Sequence, residues 1–262
     1  MVDFPELPEV DHQGHFRALS DLAASLDKWV EKSAEEADTA AKSKPKHEHQ
    51  IDAVISVYQH AGFVEMARSH ALICSITAFC ESLFKNQLPL LHWSFKGTLP
   101  SNHPRVAKFV SSPASFWDPT KPTKVEKGEK REGLVNRVLT ILTVGNFIDL
   151  FGTDFKRCLD ALFVYRNEMM HNGYEWSEKR RKQFTCQIGM SDWNDWFSCS
   201  TRGDEPWYYY ATPLFRKTAL TLCERSLAAF DAIILGDSDR LTALEREEMS
   251  QTQPHRENRD DI

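Results

Sequence analysis

"GTDFKRCLDALFVYRNEMMHNG", residues 152–173, decides how this chain folds. Phe155, Cys158, Leu159, Leu162, Phe163, Met169 and Met170 recur at spacings of three and four, the period of a helix with one apolar face. Thr153 or Asp154 can accept a hydrogen bond from first-turn amides, and Gly173 supplies the left-handed residue that commonly ends a helix. At about 100° per residue, Arg166 falls near the middle of the apolar face. A charge placed there must be paired, face a cavity or meet a partner subunit. His171 lies roughly 140° from Arg166 on a straight helix, so same-face geometry does not bring the two together; that needs the full reach of Arg166, a turned helix end at Asn172-Gly173, or a second copy of the helix. Asn167 and His171, four apart, do share a face.

Upstream, residues 12–42 read as an amphipathic helix with a stripe of Phe16, Leu19, Leu22, Leu26, Trp29 and Val30. Pro45, within "KSKPKHEH", stops it. No proline occurs from His47 to Leu88, and Gly62 either divides this stretch into two helices or bends one. Its second part, "MARSHALICSITAFCESLFKNQL", is apolar on almost every side and reads as a central buried helix. Pro89, Gly97, Pro100, Pro104, Pro113, Pro119 and Pro122 then mark a long irregular connection of the kind that is usually functional or mobile, with room for a short helix around Pro104 to Val110. A helical pattern resumes at Leu134 and runs to about Phe151, interrupted at Gly145-Asn146.

Downstream, residues 183–212 change character. "QFTCQIGM", "DWFSCST" and "PWYYYAT" are rich in aromatic and β-branched residues and predict a small antiparallel hairpin or three-stranded meander. A further helix begins at Pro213, with Phe215, Leu222, Cys223, Leu227, Phe230, Ile233 and Ile234 as its stripe. After Gly236 the chain is highly polar and predicts at most one more short helix before disorder. The expected organisation is an N-terminal amphipathic helix and linker (1–46), a helical domain with the β insertion (47–235), and a polar flexible tail (236–262). The fold class is mainly α.

The 262 residues carry a formal net charge of -6, with Lys+Arg 32 against Asp+Glu 38. That balance argues against a protein that coats nucleic acid through a broad positive face, and leaves room for a small basic site. The cysteines, Cys74, Cys80, Cys158, Cys186, Cys199 and Cys223, form no C-x-x-C pair and sit mostly in apolar runs, as buried free thiols do. "MVDFPELPEVDH" is unlike a signal peptide, and no apolar run is long enough to span a bilayer, so a soluble cytoplasmic protein without membrane partners is expected. "HEH" at 47–49 lacks partners at zinc spacing, and no phosphate-binding or dinucleotide glycine motif occurs, so neither metal nor cofactor is expected.

"RNEMMH" at 166–171 resembles the R-x4-H motif of the HEPN superfamily (higher eukaryotes and prokaryotes nucleotide-binding domains). The helix order is also similar over residues 47–175: a buried helix with a late Glu, here "SITAFCESLFKNQL", and then the helix of the motif. The resemblance implies a HEPN-like helical bundle, usually a homodimer, and a metal-independent endoribonuclease. Arg166, Asn167 and His171 would be catalytic, with Glu81 and Tyr174 supporting them. A prokaryotic defence or toxin–antitoxin setting, with an antitoxin or defence partner, is implied in the same way. Tyr174 falls one place later than the tyrosine of the family's H-x-Tyr toxin branch, and some family members only bind.

The residue types suit the chemistry. Histidine exchanges a proton near neutral pH, and a permanently charged arginine stabilises extra negative charge on phosphoryl oxygens. Lys179, Arg180, Arg181 and Lys182 follow at a distance suited to gripping the phosphates of a single-stranded RNA or tRNA loop. Without the resemblance, Arg166 reads as a core ion pair and His171 as a cation at a helix C-terminus. Glu81 alone reads as a partner for Lys85, and the basic run as a solvated face. Trp193, Trp196, Trp207, Tyr208, Tyr209 and Tyr210 could stack bases but more simply pack a small sheet against the bundle.

Overall fold

The computed structural model describes residues 10–43, 47–91 and 133–251, with side chains as far as 236. The expected stop at Pro45, the connection beyond residue 91 with its short helix around Pro104 to Val110, and the last residues of the tail lie outside the described residues. Six α-helices and one hairpin make up what is described: α1 (His12–Lys42), α2 (Glu48–Gln87), α3 (Leu134–Val144), α4 (Phe155–Asn172), α5 (Glu178–Met190), β1 (Phe197–Arg202), β2 (Glu205–Ala211) and α6 (Pro213–Gln251).

α2 is the axis of the molecule. It runs unbroken through Gly62, and His47 and Gln50 close its start with a reciprocal capping box. His12 and Phe16 of α1 meet Phe79, whereas Asp27 meets Arg68, so α1 lies antiparallel to α2. Phe84 meets Phe155 and His70 meets Tyr174, so α4 is antiparallel as well. Arg216, Cys223 and Phe230 of α6 meet Glu65, Cys80 and Phe84 in turn, which makes α6 parallel to α2. One apolar core joins these helices to α3 and the hairpin.

The α1 stripe differs from its expected form. Phe16, Leu19 and Leu26 of that stripe pack on the core, whereas Leu22 and Trp29 are exposed and Ala23, Ser33 and Ala37 are buried instead. α3 ends before Asn146, whose positive φ of 60° turns the chain into a short 3-10 turn at Ile148–Phe151.

"QFTCQIGM" is not a strand. It forms the second half of α5, where Phe184 and Ile188, four apart, are the buried pair. The sheet is therefore a two-stranded antiparallel hairpin, pairing Phe197 with Ala211 and Cys199 with Tyr209 and turning at Gly203, where φ is 63°. Tyr208 and Tyr209 are buried, as are Trp193 and Trp196. Tyr165 donates a 2.8 Å hydrogen bond to the Tyr209 carbonyl and so fixes the hairpin to α4. α6 does not stop at Gly236; it continues to Gln251, because the polar residues that follow are good helix formers without proline.

A buried polar cluster ties four elements together. Arg68 pairs with Glu65 and, at 3.1 Å, with Asp27. Arg216 lies 3.3 Å from Asp27 and donates to the Ala211 carbonyl at 2.7 Å. The Ser69 hydroxyl accepts from the Ala211 amide at 3.0 Å. Two cations and two carboxylates thus pair where α1, α2, β2 and α6 meet, although Glu65 Oε2 and Arg68 Nε are buried without a hydrogen-bond partner.

Candidate active site

α4 places the motif. Cys158, Leu162, Tyr165 and Met169 form the line that faces the core. Asp154 stands at the N-cap position without a side-chain capping bond and lies 3.4 Å from Arg157 instead. Gly173 ends the helix at a φ of 65°, its amide donating to the Met169 carbonyl. Arg166 does not sit in the middle of the buried face. It stands where that face runs out toward the helix end, between buried Phe163 and Met170, which is 61% exposed. The guanidinium is half-buried, and its Nη1 lies 3.5 Å from Glu81 Oε1 on α2. Of the two partners the sequence leaves open for Glu81, Arg166 is in contact, whereas a Lys85 pairing is not among the ion pairs of the described residues.

Asn167 is exposed beside Arg166 and accepts a long 3.4 Å hydrogen bond from its Nη1. His171 is exposed in the last turn of α4, where the helix dipole favours a cation. Among the described residues, no hydrogen bond of Arg166 is to His171; its partners are Glu81 and Asn167.

The structure adds two residues that sequence reasoning missed. His70 and Cys74 stand on the side of α2 that carries Glu81, at spacings of four and seven. The His70 ring meets Tyr174 edge-on at 5.5 Å, with Nδ1 3.4 Å from the phenolic oxygen. Its Nε2 is enclosed without a partner, and burial lowers the His70 pKa from the ordinary value. Burial raises the Cys74 pKa, while the nearby Arg166 charge works the other way. From Glu81 through Arg166 and Cys74 to the His70–Tyr174 pair, the surface is one strip of about 16 Å, from the rise of 1.5 Å per residue between His70 and Glu81. The only sequence signal was His70 at four residues before Cys74 inside an apolar run.

The basic run opens α5. Lys179, Arg180 and Lys182 are exposed and Arg181 is half-buried. Arg180 lies 3.6 Å from Glu168, Lys182 pairs with Glu178, and Arg181 donates to the Trp176 carbonyl at 2.7 Å. Four cations within the first five residues of a helix are near the end where the dipole disfavours them. Ser177, at the N-cap, makes no side-chain capping bond. A cavity of ≈ 420 Å³ lies between this helix start and the hairpin, lined by Ser177, Arg181, Arg202 and Trp207 together with Glu175 and Glu205. The Arg202 guanidinium carbon lies over the Trp207 ring at 4.8 Å from its centroid, which puts a planar cation at the cavity wall.

Comparison with protein-family models, with curated proteins and with solved structures finds no match.

The chemistry of the site therefore stands on its own geometry. No group of His, Cys, Asp and Glu side chains among the described residues is arranged to hold a metal ion. The His47 and His49 rings stack at 5.6 Å at the start of α2. No helix among the described residues is long and apolar enough to cross a membrane.

Proposed function

We propose that the chain is a HEPN-type endoribonuclease acting as a homodimer, in which Arg166, Asn167 and His171 of two copies build a composite site. The observation that carries this reading is the placement of R-x4-H at the surface end of a core helix. Arg166 is held half-exposed by Glu81 and His171 is freely accessible beyond it. On one helix the two do not share a face, and a second copy supplies the facing motif. The 2′-hydroxyl of RNA attacks the adjacent phosphorus and the 5′-oxygen leaves, giving a 2′,3′-cyclic phosphate. His171 takes or returns the proton, and Arg166 stabilises the charge on the phosphoryl oxygens. The strand continues to the α5 cations and to the cavity beside Arg202, where a base can stack on the guanidinium plane. A prokaryotic defence or toxin–antitoxin role, with a protein antitoxin, belongs to the same proposal.

A second reading, a non-catalytic RNA-binding or protein-interaction module of the same kind, is favoured by two observations. Glu81 already engages Arg166, and the net charge of -6 gives no broad field for RNA. Incubation of the protein with single-stranded RNA and tRNA in EDTA separates the two. The nuclease reading expects cyclic phosphate ends, and a loss of about 10²–10⁴-fold in His171→Ala and Arg166→Ala at unchanged thermal stability. Binding without cleavage by wild type and variants alike leaves only the module.

A further inference from the structure

Adjacent residues of a β-strand point to opposite faces, yet the Trp207 and Tyr208 rings stack on each other at 4.6 Å. The hairpin register accounts for it. Ser200 pairs with Tyr208 and Thr201 with Pro206, so Trp207 is the extra residue of a β-bulge. A bulge re-aims side chains, and this one brings Trp207 to the wall of the ≈ 420 Å³ cavity with the Tyr208 ring against it. The chain between α4 and α5 supplies Glu175 and Ser177 to the same wall. It is firmly held: the buried Trp176 indole donates to the Gly173 carbonyl at 3.0 Å and stacks on Tyr209 at 5.6 Å. Arg181 grips it again through the Trp176 carbonyl.

The polar groups of this wall divide into two sets. Arg181 and Glu205 face each other, Nη2 to Oε2, at 4.0 Å. Glu175 and Arg202 are in no ion pair among the described residues, and Arg202 rests only on the Trp207 ring. The Ser177 hydroxyl is not used as a helix cap. Tyr208 is 4% exposed, and its hydroxyl is enclosed without a hydrogen-bond partner. Burial raises its pKa first, the Glu175 charge adds to this and Arg202 works against it, so the phenol is within electrostatic reach of both. An enclosed hydroxyl without a partner is costly. Polarity is left unmatched here around one carboxylate and one planar cation.

A flat ligand with paired donors on one edge suits that set. An ionised carboxylate only accepts hydrogen bonds, through two oxygens. The Watson–Crick edge of guanine presents one acceptor, O6, and then two adjacent donors, N1–H and N2–H. Adenine and cytosine turn a lone pair toward the same carboxylate, and uracil offers a single donor. Any base stacks on a guanidinium plane. We infer that the cavity is a guanine-binding site: Glu175 accepts from N1–H and N2–H, the Ser177 hydroxyl donates to O6, and the base lies on the Arg202 guanidinium, itself backed by Trp207. The volume falls within the roughly 300–1,000 Å³ of small-ligand pockets. This inference rests on the RNA-cleavage reading and adds the base it selects. Glu175 follows His171 by four residues, so the selected guanosine is close to the phosphate that is cut. A free guanine nucleotide brings the same base.

Binding to the full chain is measured with two kinds of probe. Free GMP, AMP, CMP and UMP are titrated by calorimetry. 2′-O-methyl oligouridylates of about six nucleotides, with one central guanosine, adenosine or cytidine, are followed by fluorescence anisotropy; the methyl group blocks attack by the 2′-oxygen, so binding is read alone. The central guanosine is expected to bind at least about tenfold more tightly than adenosine or cytidine. Glu175→Gln, at an exposed position, should remove that preference at unchanged Tm. Arg202→Ala should weaken all the oligonucleotides alike and keep the preference, because stacking does not read the base edge. Asp204→Asn, which removes a charge at the hairpin turn, should change neither. A matching preference for free GMP over AMP identifies the nucleotide as a ligand too, and a preference in the oligonucleotides alone identifies the strand. Equal binding of guanine and adenine probes, or none, overturns the inference, and so does a preference that survives Glu175→Gln. The cleavage assay reports separately. Guanosine-selective binding without cleavage removes the nuclease reading and leaves the site standing, whereas cleavage without regard to guanosine does the reverse.

Discussion

A β-carbon added at Gly62 would meet no atom within 4 Å, although the residue lies inside α2. Glycine there has no steric task and carries the full entropic cost of being fixed in a helix. Gly62→Ala is accordingly expected to stabilise the protein by about 0.5–1 kcal/mol, read from the urea midpoint at constant m-value. Arg68 is the opposite kind of residue, buried and hydrogen-bonded to Asp27 and Glu65. Arg68→Met leaves Glu65 in low dielectric with only Arg216, 3.9 Å away, in partial compensation. A loss of about 3 kcal/mol is expected, much of it regained in the double variant Arg68→Met, Glu65→Leu, where no unpaired charge remains. If the double variant is as unstable as the single one, the cost lies in packing rather than in the stranded carboxylate.

At the scale of elements, legibility followed apolar periodicity. α1, the start of α6 and α4 with its Gly173 stop were readable because each has a stripe, a cap or a proline at the right place. α5 was misread because it buries only Phe184 and Ile188, and β-branched and aromatic residues between turn signals mimic a strand. The position of Arg166 was half legible: the apolar spacing placed it on the buried side of α4, but the buried line runs through Tyr165 and Met169, which leaves Arg166 at its edge beside exposed Met170. The His70–Tyr174 pair joins residues 104 apart, which no local pattern can show. Nor could any local pattern show that Tyr165, rather than Arg166, is the polar side chain at the centre of α4. Its hydroxyl holds the hairpin through the Tyr209 carbonyl at 2.8 Å, and burial raises its pKa. Tyr165→Phe keeps the packing and strands that carbonyl, and an expected loss of about 1–2 kcal/mol should appear in chemical denaturation. Amide exchange should rise first in β2, since α4 retains its own contacts.

For the whole molecule, the response of stability to acid is set by groups buried in the uncharged state. His12 at the start of α1 is buried edge-on against Phe79, and neither ring nitrogen has a hydrogen-bond partner. Burial lowers its pKa first, the neighbouring His15 adds to this, and Asp11 works against it. Burial lowers that of His70 as well. A histidine whose folded pKa is depressed binds its proton more readily when unfolded, so it contributes stability above the ordinary value of 6.5 and loses it as pH falls through the folded value. Glu65 has the reverse sign: burial raises its pKa above 4.5 against the pull of Arg68 and Arg216, so its protonation on acidification favours the folded state. Stability should therefore fall below about pH 6.5 as the histidines charge, with Glu65 offsetting part of the loss only at lower pH. His12→Phe fills the same space against Phe79 with a ring that cannot charge. Its unfolding midpoint in urea, followed between about pH 5 and 8, should depend less on pH than that of the wild type. Parallel curves for the two proteins would mean that protonated His12 finds solvent or a carboxylate without loosening α1 from α2.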